Sequence, residues 1–364
     1  MKIGIIGLPN VGKSTFFNAL TKQNAKMDKY PFTTVTPNLG DVEIPNERLE
    51  ELINVFNPER VVPTSIKFLD VAGLVEGASH GEGLGNKFLA HIRDTDAIVH
   101  IVRCFEDINV AHINTTLSPK RDVEIVNLEL ILADLSTIEK SLEKTETASK
   151  SGKKEEIRKF EFLKKIRSFL QKGNPVRAIK LSEDESRMLQ GLNLLTQKPV
   201  IYVANVNENY YETNKGKGYV REIEEIAELD KAEIMIMSAK ILQELAELSE
   251  ENTQEFAKNM GIPFEGLKNF VRASYKLLDI ITFFTGNENE VHAWTIKKNT
   301  PVLKAAGKIH SDMEKGFIKA EVINWKDLSD AGSVTRAKDI GIYRVEGRDY
   351  LVKDGDVIYI HFHR

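Results

Sequence analysis

Cysteine is nearly absent from the 364-residue chain, with Cys104 standing alone. A single cysteine excludes an intramolecular disulfide framework and any cysteine-cluster metal site, and it fits a reducing cytosol, the location expected here. Placed at the end of an apolar stretch, Cys104 reads as buried and inert. No apolar run approaches the ~20 residues that a membrane helix needs, so no membrane partner is expected. The first residues are apolar only from Ile3 to Leu8 and run into a glycine turn without a small-residue cleavage site. They read as a strand and not as a signal peptide. An excess of one charge is missing too: 50 Lys+Arg against 54 Asp+Glu leave a formal net of −4. Any nucleic-acid contact must therefore be local. What remains is a globular composition, 41% hydrophobic and 29% charged, which excludes a disordered or collagen-like chain. At roughly 150 residues per domain, the length predicts two to three domains.

KIGIIG at the start reads as a buried strand, followed by a glycine-rich turn and a helix, STFFNALTK, with Phe16, Phe17 and Leu20 at helical spacing. VPTSIKFLDVAG and DAIVHIVRC are further strands, apolar enough to sit in a parallel sheet covered on both faces. From Asp122 the texture changes. Leu128, Ile131, Leu135, Ile138 and Leu142 form a coiled-coil-like seam, a polar stretch interrupts it near Gly152, and Ile157, Phe160, Leu163, Ile166 and Leu170 resume it. Two long antiparallel helices are expected. Between Glu139 and Lys172 they carry 11 Lys/Arg against 6 Asp/Glu, whereas residues 206–260 carry 13 Asp/Glu against 6 Lys/Arg. A charge run on a helix ordinarily keeps it solvated, and the basic arm is also a candidate for contact with phosphate backbones. KPVIYVANVNE and AEIMIMSAK return to buried strands, so the helical pair is an insertion in a sheet domain. From about Ile280, VHAWTIKK, SDMEKGFIKAEVI and DYLVKDGDVIYIHFH alternate around turn glycines, predicting a small β-rich domain.

Gly7 to Ser14, GLPNVGKS, matches G-x-x-x-x-G-K-[ST] between a strand and a helix. The glycines let backbone N–H groups converge on phosphate oxygens, and the helix N-terminus adds positive dipole. Pro9, Asn10, Val11, Gly12, Lys13, Ser14 and Thr15 are thus expected to bind nucleotide, with Lys13 at the β/γ-phosphates and Ser14 on Mg²⁺. Asp70, at the end of the second long strand, is placed to hold Mg²⁺ through water, and the Gly73 N–H to face the γ-phosphate. In the intervening PFTT, Thr34 is the expected switch threonine for Mg²⁺ and the γ-phosphate, with Thr33 as the alternative. Lys13, Thr34 and Gly73 form the expected catalytic set.

The strand after the insertion ends in Asn205-Val206-Asn207-Glu208, where a GTPase carries N-K-x-D. The aspartate of that motif accepts two hydrogen bonds from guanine. Glu208 displaces the carboxylate by one methylene, Val206 replaces the lysine stem that covers the base, and the Asn205 amide could still engage the adenine N6/N7 edge. ATP is therefore favoured over GTP. Ser238-Ala239-Lys240 pulls the other way, because it matches the base-supporting loop of ordinary GTPases.

These residues resemble the translation-factor-related P-loop GTPases, with Leu74 where Ras-like members carry the glutamine that orients the attacking water. Water positioning must then come from His80, Glu76 or Glu82, from backbone groups, from a cation or from a partner. Asn10 resembles the loop asparagine that ligates a monovalent cation, often K⁺, in relatives lacking the glutamine. GLPNVGKS, PFTT, DVAGLVEGASHGEGLGNKFLAHIRDTD, NVNE and DGDVIYIHFH together resemble one family along essentially the whole chain: the Obg-like ATPases, or YchF family. The resemblance implies an α/β P-loop G domain with a mainly parallel sheet (residues 1–121 and 198–279), an inserted antiparallel coiled-coil arm (122–197) and a C-terminal β-grasp-like TGS domain (280–364). It implies slow hydrolysis of ATP as a conformational switch in translation or stress regulation, with the ribosome and rRNA as partners. A monomer is expected. The alternatives are a GTP-specific switch and a nucleotide-gated protein adaptor that does not bind RNA.

Overall fold

Continuous apolar runs become the central strands because both faces of the sheet are covered. In the computed structural model, which describes residues 1–22, 38–71, 84–107, 116–150, 152–213, 216–248, 250–259 and 266–363, every residue of Ala97–Arg103 and Val200–Asn205 is buried. The contact pattern divides the chain into two units, residues 1–42 with 67–270 and residues 43–66 with 271–364.

The first unit is built on a sheet of β1 (Lys2–Ile6), β2 (Asn38–Glu43), β4 (Ser65–Asp70), β5 (Ala97–Arg103), β6 (Val200–Asn205) and β7 (Glu233–Met237), in the order β2-β4-β1-β5-β6-β7 among the described residues. The pairs β1/β4, β1/β5, β5/β6 and β6/β7 are all parallel. Helices of this unit include α1 (Lys13–Lys22), α3 (Leu84–Arg93), α4 (Pro119–Ser149), α5 (Lys154–Gln171), α6 (Glu183–Leu189), α7 (Tyr210–Thr213), α8 (Lys217–Asp230) and α9 (Ala239–Leu245); α2 (Glu47–Phe56) belongs to the other unit.

The expected helical pair is present as α4 and α5, and Gly152 lies between them with φ +78°, a left-handed conformation that glycine adopts without Cβ strain. Ile131, Ile138, Leu142, Phe162, Leu163, Ile166 and Leu170 are buried in one cluster. Leu128, expected in the seam, instead faces outward at 52% exposure. Polar anchors hold the arm to the sheet domain. Asp134, fully buried, accepts from the backbone N–H groups of Leu195 and Thr196 and from the Thr196 hydroxyl (2.7–2.8 Å). Arg177 pairs with Asp230 at 2.9 Å.

The second unit holds a mixed sheet of β3 (Arg60–Val62), β8 (Ile280–Gly286), β9 (Glu290–Lys297), β10 (Phe317–Asn324), β11 (Arg344–Glu346) and β12 (Asp356–Phe362), ordered β11-β10-β12-β8-β9-β3 among the described residues. β8/β9 and β10/β12 are antiparallel, whereas β12/β8 is parallel. This is the β-grasp-like C-terminal domain, with the helix Val302–Ile309 packed in its core. Residues 43–66, expected within the nucleotide-binding domain, join this unit instead. β3 pairs in parallel with β9, and Leu49 and Leu52 of α2 bury themselves beside Phe284 and Val291.

Candidate functional site

The phosphate loop is bent by three residues with positive φ, Gly7 (+152°), Asn10 (+61°) and Gly12 (+94°). Asparagine is among the residues that tolerate this region, and at Gly12 space adds a second reason: a Cβ there would lie 2.4 Å from Asn205 Nδ2. Lys13 is buried, and its Nζ donates to the carbonyls of Gly7 (3.1 Å) and Leu8 (2.9 Å). Burial pushes its pKa down to about 8, against the raising effect of Asp70. The Ser14 hydroxyl donates to Asp70 Oδ2 at 3.2 Å. Burial raises the Asp70 carboxyl, opposed by the Ser14 hydrogen bond and by Lys13.

The sequence therefore brings Lys13, Ser14 and Asp70 together as expected. Ser14 Oγ and Asp70 Oδ2 are hard oxygen donors facing one another at the phosphate loop. This set fits Mg²⁺, which keeps several waters and takes one or two protein oxygens beside nucleotide phosphates. Among the described residues, no group of three or more His, Cys, Asp or Glu could hold a metal.

The ends of β6 and β7 bring the remaining expected site residues together. Asn205 is buried; its Nδ2–H donates to the Val11 carbonyl (2.8 Å) and its Oδ1 accepts from the Ala239 N–H (2.9 Å). One N–H of the amide and one lone pair of its oxygen are engaged by protein, so Asn205 ties the phosphate loop to the Ser238–Ala239 loop. Val206 is 2% exposed, and its N–H donates to the Met237 carbonyl at 3.0 Å. Ser238, buried, caps α9 by accepting from the Ile241 N–H at 3.4 Å. Glu208 forms an ion pair with Lys240. Lys240 was not marked as a site residue in the sequence. Its signal was the coexistence of an out-of-place acid in one loop and a lysine in the other.

Two buried groups near the site are core residues. The Cys104 thiol is pushed up by burial, and the His100 imidazole is held down to about 3 by burial and by Arg177 and Lys13, with its ring 5.5 Å from that of Tyr202 at a 40° tilt. Thr33, Thr34, Gly73, Leu74, Glu76, His80 and Glu82 lie outside the described residues.

Residues 2–128 match a family model described as a 50S ribosome-binding GTPase, and residues 280–363 match one described as a protein of unknown function (DUF933). The chain is 46% identical over 359 residues to the ribosome-binding ATPase YchF of Bacillus subtilis (strain 168), covering 99% of this chain and 98% of that one. It is 44% identical over 361 residues to the protein of the same name from Escherichia coli O157:H7, with 99% of each covered. The solved YchF GTPase of Schizosaccharomyces pombe superposes with a TM-score of 0.87 at 34% identity, covering 99% of this chain and 97% of that chain. A GTP binding protein from Pyrococcus horikoshii OT3 shares the fold, with a TM-score of 0.62 at 20% identity. Matched from end to end at such identity, and with its phosphate loop, Asp70 and NVNE turn arranged around one site, the chain belongs to the YchF family.

Proposed function

We propose that the chain is a ribosome-associated ATPase of the Obg-like group, which binds ATP on residues 7–15 and hydrolyses it slowly to ADP and phosphate as a conformational switch. The observation that carries this is the convergence of Lys13, Ser14 and Asp70 on the phosphate loop, joined through Asn205 to a wall in which the carboxylate nearest in sequence to a guanine clamp, Glu208, is already paired. The names of the relatives, ribosome-binding ATPases in Bacillus subtilis and Escherichia coli, support both the ribosome and the nucleotide.

In this reading Lys13 exchanges its two carbonyl acceptors for phosphate oxygens, and its ammonium offsets the charge that spreads over the transferring phosphoryl group. Ser14, with Asp70 behind it and Thr34 joining it, holds Mg²⁺. When bound, Mg²⁺ supplies further positive charge to the phosphates. Gly73 would offer its N–H to the γ-phosphate, and Asn10 would be the ligand for a bound K⁺. Leu74 cannot orient water, so unassisted turnover is slow, which suits switching better than metabolism. The GTP-specific alternative rests on the Ser238–Lys240 loop and on the GTPase names of the fission-yeast structure and the N-terminal family model.

Hydrolysis of ATP and GTP by the purified protein, with and without ribosomes, together with co-sedimentation, tests the proposal. It expects slow ATP turnover, nucleotide-dependent co-sedimentation and loss of turnover in Lys13→Met. Ribosome-independent behaviour with GTP as the preferred substrate contradicts it. The arm's basic face predicts that RNA contact weakens steeply with salt, whereas an apolar protein contact does not.

A further inference from the structure

Glu208 occupies the second position of the turn 207–210. That turn is closed by the Tyr210 N–H donating to the Asn207 carbonyl (3.1 Å) and tightened by the Asn207 side chain accepting from the Asn209 N–H (3.3 Å). Behind it, the Tyr211 hydroxyl donates to the Ile236 carbonyl at 3.1 Å, fixing the turn to β7. The Glu208 carboxylate is thus held at a defined place, and Oε1 is engaged by Lys240 Nζ from the opposite loop.

Lys240 stands in the first turn of α9, as its second residue, with Ala239 between it and the capping Ser238. A cation in the first turn opposes the helix dipole, so the stability of α9 does not account for a lysine there. Its surroundings do: the Glu208 hydrogen bond and charge, then Glu244 on its own helix and Asp107 beyond the end of β5, all favour the ammonium. Reciprocally, the Lys240 hydrogen bond holds the Glu208 carboxyl below the usual range, against burial and Asp107. Both directions agree on a pair that is charged on each side.

Guanine recognition by a carboxylate needs both of its oxygens open to N1–H and N2–H₂. We propose that Lys240 is a base-specificity residue, which bridges the two base-facing loops, occupies the Glu208 carboxylate and so withdraws the acceptor that guanine would require. The lysine that gives Ser238-Ala239-Lys240 its GTPase-like look does the opposite work here. This inference rests on the adenine reading proposed above and names the residue that enforces it.

The test measures affinities of the full-length protein for non-hydrolysable ATP and GTP analogues with Mg²⁺, in the parent, Lys240→Met, Glu208→Gln and the double variant. Methionine keeps the stem and removes the charge, and at 67% side-chain exposure the fold does not depend on it. A freed bidentate acceptor should narrow the ATP-over-GTP preference about fivefold or more in Lys240→Met, chiefly through tighter GTP binding. In the Glu208→Gln background the same change should leave the preference unmoved, because no carboxylate remains to be freed. An ATP-preferring parent whose ratio is unchanged in Lys240→Met overturns the inference and leaves the adenine reading standing, as does an equal shift in both backgrounds. A parent that prefers the GTP analogue overturns both.

Discussion

Asn205 reaches from the end of β6 to Val11 of the phosphate loop, 194 residues earlier, and donates to its carbonyl at 2.8 Å. The same amide accepts from the Ala239 N–H, so one buried side chain ties the Gly7–Ser14 loop to the Ser238–Ala239 loop. Asn205→Ala leaves a buried carbonyl and a buried N–H unpaired. The expected loss is about 1–3 kcal/mol of stability, read by thermal or denaturant unfolding, accompanied by weaker binding of ATP and GTP analogues alike. A variant of parental stability and affinity would show that the tie is incidental.

Lys13 gives a proton-linkage prediction. Its folded pKa is pushed down to about 8 from 10.5, burial being the main cause. Between those values the unfolded chain holds the proton that the folded chain has lost, so this group's contribution to stability rises with pH across that window and is flat below it. Phosphate oxygens favour the ammonium. Nucleotide binding near about pH 9 should therefore take up a proton, measurable by calorimetry in buffers of different ionisation enthalpy and absent in Lys13→Met. No uptake by the parent at that pH contradicts the assignment.

The arm anchor is an ion pair with both side chains 7% exposed. Arg177 also donates to Asn127 Oδ1 at 2.8 Å, and Tyr202 donates to Asp230 Oδ2 at 2.7 Å. Asp230→Ala strands a buried guanidinium and should cost about 3–5 kcal/mol. Replacing Arg177 and Asp230 together by apolar residues of similar volume should recover much of that loss. If the double variant is no better than Asp230→Ala, packing and not charge governs the anchor.

Leu52 is fully buried with Phe284 and Val291, in the cluster that assigns α2 to the second unit. Leu52→Ala should cost about 2–5 kcal/mol. Hydrogen exchange should rise in β8 and β9 and stay unchanged in β5 and β6. Faster exchange confined to β5 and β6 would return residues 43–66 to the nucleotide-binding domain.

Much of this was legible because it is local. A glycine loop between a buried strand and an amphipathic helix has one recognisable pattern, and Asp70 closes an apolar strand, so the Ser14–Asp70 contact followed. Heptad-like spacing announced α4 and α5. Non-local features left no such trace. β3 is only three residues long and is stabilised by β9, far along the chain, so no periodicity marks it as part of another sheet. Leu128 fits the apolar seam by spacing yet is exposed, and Asp134, polar in sequence, is buried because the Leu195 and Thr196 backbone donors reach it. Asn205 and Val206 read by analogy with a base-binding motif; their bracing bonds, from Asn205 to Val11 and Ala239 and from Val206 to Met237, show only once the loops meet in space. The Glu208–Lys240 pair needs two loops brought together in space before either residue acquires its role.

Adenine, and not guanine, is the base proposed for this phosphate-loop switch. Dissociation constants for ATP and GTP analogues, measured on the parent protein in Mg²⁺ with K⁺ and again with Na⁺, test it most directly. The account predicts at least tenfold tighter ATP binding, about 1.4 kcal/mol. Tighter GTP binding would contradict it, leaving the phosphate loop and its switch in place but assigning the Ser238–Lys240 loop to guanine.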